Sequence, residues 1–257
     1  MRKKYNIKRT FLVVILFLFV IKLNSQTTDY PQRQIDYSNI DISRIDFSFL
    51  NFEQFSFGFK LSPSIGWLNV KNTDLQADGA ALKFGMGGIA DYAINNNISV
   101  VSGVNYNWFG GYVFDNKSLN DPATKDNYKL NYTQVEVPLS LKLKTNKLNK
   151  ISYYIQGGLN AGFIITANEE HQSISKNTPI KPTNINPLTN PNRLGYQVSV
   201  GSEYYITNKF RIFGDICYKN SLSNIALSES YISSGIYSTP LEILPGSMEF
   251  TIGILFR

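Results

Sequence analysis

From Phe55 onward, apolar and polar residues alternate along the chain in a series of runs. One run shows the pattern well, because Ile151, Tyr153 and Ile155 fall on one face while Ser152 and Gln156 fall on the other. Successive residues of a β-strand point to opposite sides of a sheet, so a period of two predicts strands. The two faces of these strands therefore meet different solvents.

Eight strands are predicted by this alternation, at residues 55–70, 81–94, 98–109, 131–144, 151–166, 194–206, 209–220 and 247–257. The connections alternate in length, with short turns at 95–97, 145–150 and 207–208 and longer loops at 71–80, 110–130, 167–193 and 221–246. Transmembrane barrels have tight periplasmic turns and longer external loops. We therefore predict an all-β, eight-stranded, antiparallel transmembrane barrel of the outer membrane, with short periplasmic turns and long external loops.

A soluble β-sandwich or lipocalin-like barrel would show the same alternation, because its sheets also have one buried and one wet face. Two features favour a membrane barrel instead. Glycines are spread along the predicted strands. Aromatic residues also recur on the apolar face near the predicted strand ends, where membrane barrels carry interfacial girdles, namely Tyr92, Trp108, Tyr153, Tyr204, Phe210 and Phe256.

The N-terminus predicts a signal peptide over residues 1–25. A cationic start precedes the apolar run from Phe11 to Ile21, which is too short to span a bilayer as a helix, since that takes about 20 residues. Cleavage is expected after Ser25, and an uncleaved anchor is the alternative. Residues 26–54 are predicted to form a periplasmic N-terminal tail with a five-residue repeat that begins at Ile35, and residues 55–257 form the barrel.

Composition excludes several function classes. Six of the 25 basic residues lie within the first 22, which leaves 19 bases against 19 acids in the remainder. Nucleic-acid binding is not expected, because it requires a basic surface in the working protein. With only His171 and Cys217, the chain cannot form a His/Cys zinc site, which needs about four nitrogen or sulfur ligands. No metal and no cofactor are therefore expected.

Two strand motifs, NYTQVEVPLSLKLK at residues 131–144 and YYIQGGLNAGF at residues 153–163, resemble those of the PorT-like outer-membrane β-barrel family. The FGFK segment at residues 57–60 and Trp67 add to the resemblance, which covers residues 55–257. It implies a small outer-membrane barrel of a Gram-negative cell, and the namesake of the family acts in protein export by the type IX secretion route. These motifs belong to barrel strands, so the resemblance implies no catalytic residues.

The predicted face assignment directs both signs of charge into the lumen. Eight strands enclose an interior just wide enough for side chains to fill it, and an unpaired buried charge costs several kcal/mol, so opposite charges should pair. We therefore predict a plugged barrel, with a narrow cation-repelling pore as the alternative. The predicted lumen-facing charged network consists of Lys60, Lys83, Asp91, Glu136, Lys142, Lys144, Glu203, Arg211, Asp215, Lys219, Glu249 and Arg257.

No enzymatic activity is expected, because the nearness in sequence of His171 and Ser173 does not make a catalytic triad. Exposed aromatic and aliphatic residues in the last long loop invite a partner, although the same loop could fold over its own barrel. These candidates are Tyr231, Ile232, Ile236 and Tyr237.

The predicted role is an accessory one in protein export or envelope assembly, through the loops and the tail. Outer-membrane lipid and other envelope or secretion proteins are the expected partners. A small-solute porin or uptake barrel and a surface adhesin are the alternatives.

Overall fold

The computed structural model describes residues 54–71, 75–115, 126–173, 183–227 and 241–257. These residues contain one short 3-10 helix at Asn186–Leu188 and nine strands: β1 Phe55–Lys71, β2 Leu75–Ala93, β3 Ile98–Asp115, β4 Asp126–Lys144, β5 Ile151–Ser173, β6 Thr183–Asn184, β7 Asn192–Tyr205, β8 Phe210–Ser221 and β9 Glu242–Phe256. The leader, the tail up to residue 53 and the loop candidates Tyr231, Ile232, Ile236 and Tyr237 lie outside the described residues.

The strands form one closed antiparallel sheet. Their order is β4-β3-β2-β1-β9-β8-β7-β5, and β4 also pairs with β5, which closes the barrel. The two-residue β6 only adds to the edge of β5 beyond the barrel wall. The predicted eight-stranded antiparallel barrel is confirmed. In the described part of the chain, no helix is long and apolar enough to cross a membrane.

The barrel has two different ends. Residues 94–97, 145–150 and 206–209 form its three short turns, and we call this the tight-turn end. At the opposite, long-loop end the strands extend further than the alternation predicts: β2 begins at Leu75, β3 ends at Asp115 and β5 ends at Ser173. The predicted loop boundaries there were wrong. His171, which was assigned to a loop, lies in the β4–β5 ladder opposite Tyr128.

A bulge in β5 explains one error in the predicted faces. Thr133 pairs with Thr166 but the next residue, Gln134, pairs with Ile164, so Ile165 is the extra residue. An extra residue reverses the alternation beyond it. Unbroken alternation from Ser152 and Gln156 predicts that Thr166 faces the lumen, but Thr166 is exposed, whereas Ile164 is buried.

Two groups of aromatic residues flank an apolar band on the outer face. At the tight-turn end, the Phe55 ring lies 4.8 Å from that of Tyr92 and the Phe210 ring lies 5.1 Å from that of Phe256. The second group lies nearer the long-loop end and consists of Trp67, Phe84, Tyr106, Trp108, Tyr196 and Tyr218. This arrangement is typical of a barrel surrounded by lipid.

Inward-facing glycines make room for large neighbouring side chains inside this narrow barrel. A Cβ at Gly253 would lie 2.5 Å from the Phe213 ring, and one at Gly195 would lie 2.5 Å from the Asn160 amide oxygen. Each glycine pairs directly with that neighbour across the ladder. The missing side chain therefore leaves the space that the larger residue fills.

We expect Gly253→Leu to lower the free energy of unfolding by about 1–3 kcal/mol, because the new side chain overpacks against Phe213. Gly157→Leu is the matched control, since its Cβ would point outward and meet nothing closer than 4.0 Å. Urea unfolding of each variant folded into lipid vesicles measures the difference. Equal stability of the two variants would contradict the packing argument.

Candidate functional site: the barrel lumen

One charged cluster fills the lumen near the tight-turn end. The Lys142 ammonium lies 2.8 Å from an Asp91 carboxylate oxygen and 2.9 Å from a Glu203 carboxylate oxygen, and all three side chains are almost fully buried. The Arg211 guanidinium lies 3.1 Å from Asp91 and 3.4 Å from Glu203, and Lys144 lies 3.7 Å from Glu203. We call these five residues the tight-turn cluster.

A second charged cluster lies further along the barrel. The Lys219 ammonium lies 2.6 Å from a Glu136 carboxylate oxygen and 3.2 Å from one of Glu249. Glu136 also accepts hydrogen bonds from the side-chain amides of Asn105, at 3.3 Å, and Gln134, at 3.2 Å. We call these five residues the mid-barrel cluster.

The space between the two clusters is nearly filled. The Tyr154 hydroxyl donates a 2.7 Å hydrogen bond to Asp215, and the Lys142 ammonium lies 4.8 Å from the centre of the Tyr154 ring. Half-buried Lys60 lines a cavity of about 30 Å³ here. One water needs about 10–15 Å³, so this cavity holds only a couple of waters.

Two of the predicted lumen residues lie apart from these clusters. Half-buried Lys83 donates a hydrogen bond to the Asn131 side chain, which in turn donates one to Glu170. Arg257 is exposed, and its assignment to the lumen was wrong because β9 ends at Phe256. A residue beyond the last strand position is not held in the alternation.

Arg193 faces the lumen and was missed by the sequence reasoning. It is 6% exposed, its guanidinium lies 5.0 Å from the centre of the Phe109 ring, and its Nε donates to the Ser221 hydroxyl. The predicted strand began one residue later, which placed Arg193 in a loop. The alternation of Arg193, Gly195 and Gln197 on one face was the available signal.

Towards the long-loop end the interior changes from charged to apolar. Strand residues and residues from two loops pack there into one buried cluster, the apolar plug. It consists of Leu68, Leu75, Phe109, Val113, Leu130, Tyr132, Ile164, Ala167, Ile185, Ile225, Ala226, Leu241 and Ile243. The sequence left open that the last long loop folds over the barrel, but it did not identify the members of this plug, because they come from separate strands and loops.

Backbone hydrogen bonds hold the two loop segments in the plug. Asn190 N–H donates to the Ile225 carbonyl at 2.7 Å, and Ile225 N–H donates to the Ile243 carbonyl at 3.1 Å. The Asn224 side chain ties the same turn to β9, since its amide donates to the Leu241 carbonyl and its oxygen accepts from Ile243 N–H. The described parts of both loops therefore cap their own barrel.

The charged side chains of the two lumen clusters are engaged with one another. Lys142 and Lys219 each contact two carboxylates, so the lysine charge in each cluster is paired with acidic side chains of the same cluster. No group of three His, Cys, Asp or Glu side chains in the described part of the chain is arranged to hold a metal ion.

Residues 21–227 match the family described as the outer membrane protein beta-barrel domain. No curated protein matches the sequence. Neisserial surface protein A is one of the similar solved structures, with 13% sequence identity and a TM-score of 0.45. The match covers 79% of this chain and 97% of Neisserial surface protein A. OprG from Pseudomonas aeruginosa is also similar, at 13% identity and a TM-score of 0.42, over 78% of this chain and 96% of that one.

We expect Lys219→Met to destabilise the barrel by about 3–5 kcal/mol, because it leaves the buried Glu136 and Glu249 carboxylates without their ion-pair partner. Lys150→Met, which changes an exposed lysine of a short turn, is the control. Urea unfolding in lipid vesicles at neutral pH measures both. Adding Glu136→Gln and Glu249→Gln to Lys219→Met should recover part of the loss, and no recovery would argue against the charge explanation.

Proposed function

The chain belongs to the outer membrane protein beta-barrel domain family and is located in the outer membrane, and from this premise we propose that it is a non-enzymatic accessory component of protein export or envelope assembly. We further propose that it is a PorT-like barrel. It acts through its external loops and its periplasmic tail, and it does not conduct solutes.

The observation that carries this proposal is the filled lumen. The two charged clusters block the barrel within its wall, and the apolar plug blocks it again at the long-loop end. Residues of the two clusters line cavities of about 30 and 10 Å³. These cavities have room for a few water molecules but not for a solute. A barrel without a solute path has only its surfaces, loops and tail with which to act.

The resemblance to the PorT-like family supplies the direction of the proposal. It rests on the strand motifs at residues 131–144 and 153–163, which fall in β4 and β5. The family's namesake takes part in type IX secretion, and this is the reason to place the protein beside an export machinery. The non-enzymatic part of the proposal is supported by the charge pairing in the lumen, which leaves Lys142 and Lys219 engaged with carboxylates.

We expect the purified protein to produce no stepwise conductance in planar lipid bilayers, because the two clusters and the plug occupy the lumen along the described part of the barrel. The control is a variant that removes side chains from both clusters and from the plug, in which Lys142, Glu203, Lys219, Glu136, Ile225 and Leu241 are all replaced by Gly. Regular conductance steps from the unaltered protein would contradict the proposal and favour a small-solute porin.

Deletion of the gene should reduce several exported proteins in the culture medium and at the cell surface, and the unaltered gene should restore them. Quantitative protein profiling of both fractions against the parent strain measures the effect. Complementation with the His171→Ala variant should restore export fully, because no catalytic role is assigned to His171.

A second complementation tests the loop. Replacement of Tyr231, Ile232, Ile236 and Tyr237 by Ser should lower export while the barrel still assembles, which heat-modifiable migration on gels reports. An unchanged profile after gene deletion would reject the export role. Loss of binding to cells or matrix after loop replacement, with export intact, would favour a surface adhesin.

A further inference from the structure

An apolar groove runs along the outer face of the barrel near the tight-turn end. Its floor is formed by the small residues Gly88 and Ala90 of β2. Phe57 and Phe59 of β1 form one wall, and Val104 of β3 forms the other. The groove has a volume of about 480 Å³ and is widely open to its surroundings.

Strand register explains why a groove forms at this place. Phe57 pairs with Ala90 and Phe59 pairs with Gly88, so two large side chains of β1 lie directly beside two of the smallest residues of β2. Gly88 in turn pairs with Val104. The walls are well exposed, since Phe59 is 69% exposed and Val104 is 56% exposed. The groove therefore opens towards the surrounding lipid.

A basic rim adjoins the groove at the tight-turn end. Arg257 lines the groove itself, and its backbone N–H donates a 2.8 Å hydrogen bond to the carbonyl of Lys209. Both residues are exposed. The three short turns, residues 94–97, 145–150 and 206–209, contain Lys147, Lys150 and Lys209 but no acid. Positive charge is therefore concentrated in these turns, at the edge of the apolar groove.

We propose that this groove binds an anionic phospholipid. One acyl chain lies over Gly88 and Ala90 between the aromatic wall and Val104, and the phosphate group meets the Arg257 guanidinium and the Lys209 ammonium. Cationic side chains at a membrane surface attract anionic lipids with about 1 kcal/mol per residue. The Gly88 Cβ position meets nothing closer than 3.9 Å, so the space above the floor is free for a chain.

A phospholipid fits both halves of the site. Phe57 and Phe256, which flank the groove, belong to the level of the aromatic residues at the tight-turn end, where the headgroup region meets the acyl chains. A free phosphate ion would use only the basic rim and would leave the apolar floor empty. A neutral hydrocarbon would use only the floor. A molecule with a phosphate attached to acyl chains engages both at once.

The test is native mass spectrometry of the full-length protein in a mild detergent, with added phosphatidylglycerol or phosphatidylethanolamine. We expect phosphatidylglycerol to be retained more tightly, because it carries a net negative charge. Gly88→Leu should abolish most of this retention, because the leucine occupies the floor. Gly157→Leu is the control, since it adds the same side chain at an open outward position of β5 and should retain lipid normally.

The rim is tested separately, which keeps the proposal testable if Gly88→Leu fails to fold. Each of Arg257→Gln and Lys209→Gln should weaken phosphatidylglycerol binding about fivefold, which corresponds to the attraction of one cation for an anionic surface. Lys150→Gln, on a different turn, should have little effect. Millimolar inorganic phosphate should not displace the lipid.

Several results would overturn the proposal. Equal retention of the two lipids would show that the rim does not select charge. Equal lipid loss from the Gly88→Leu and Gly157→Leu variants would show that the groove is not the site. Displacement by inorganic phosphate would show that the acyl chain contributes nothing. Self-association of the unaltered protein that Gly88→Leu abolishes, without loss of lipid, would show that a second copy of the chain occupies the groove.

Discussion

A sheet that closes with only eight strands has a narrow interior, which the side chains of the barrel itself must fill. At the end beside the short turns, Lys142 fills this interior together with its ion-pair partners Asp91 and Glu203. These charges are acceptable inside the protein only because each has an opposite partner within hydrogen-bonding distance. The partners come from β2, β4 and β7, which approach one another only when the barrel is closed. Closure and charge pairing therefore depend on each other.

The remaining interior follows from the same constraint. Glycines such as Gly253 and Gly195 release the space that Phe213 and Asn160 occupy. At the long-loop end, where loops come within reach of the interior, apolar residues of two loops complete the filling and Asn224 fixes their backbone. The interior thus changes from paired charges to apolar packing along its length. Function must then reside on the outer surfaces, because little of the interior is left for a ligand.

The outer face is shaped by the same strand pairing that orders the lumen. The register that pairs Phe59 with Gly88 creates a groove on the outside, because a large and a small residue point outward side by side. Arg257 lines the groove at its tight-turn end and adds positive charge there. A barrel whose lumen is closed can still recognise a ligand through such a surface, and the lipid around it is the first molecule that this surface meets.

The sequence by itself determined the strand count, the closed antiparallel architecture and the inward direction of Lys142, Glu136 and Lys219, because a period of two records which face of each strand is polar. Alternation loses this information wherever the period is broken, so it misplaced Thr166 beyond the bulge at Ile165, Arg193 before its strand and Arg257 after the last one. Tertiary structure alone decided which charges pair, how the apolar plug assembles and where the outer groove lies. Each of these depends on residues far apart in the chain, and only the register of neighbouring strands brings them together.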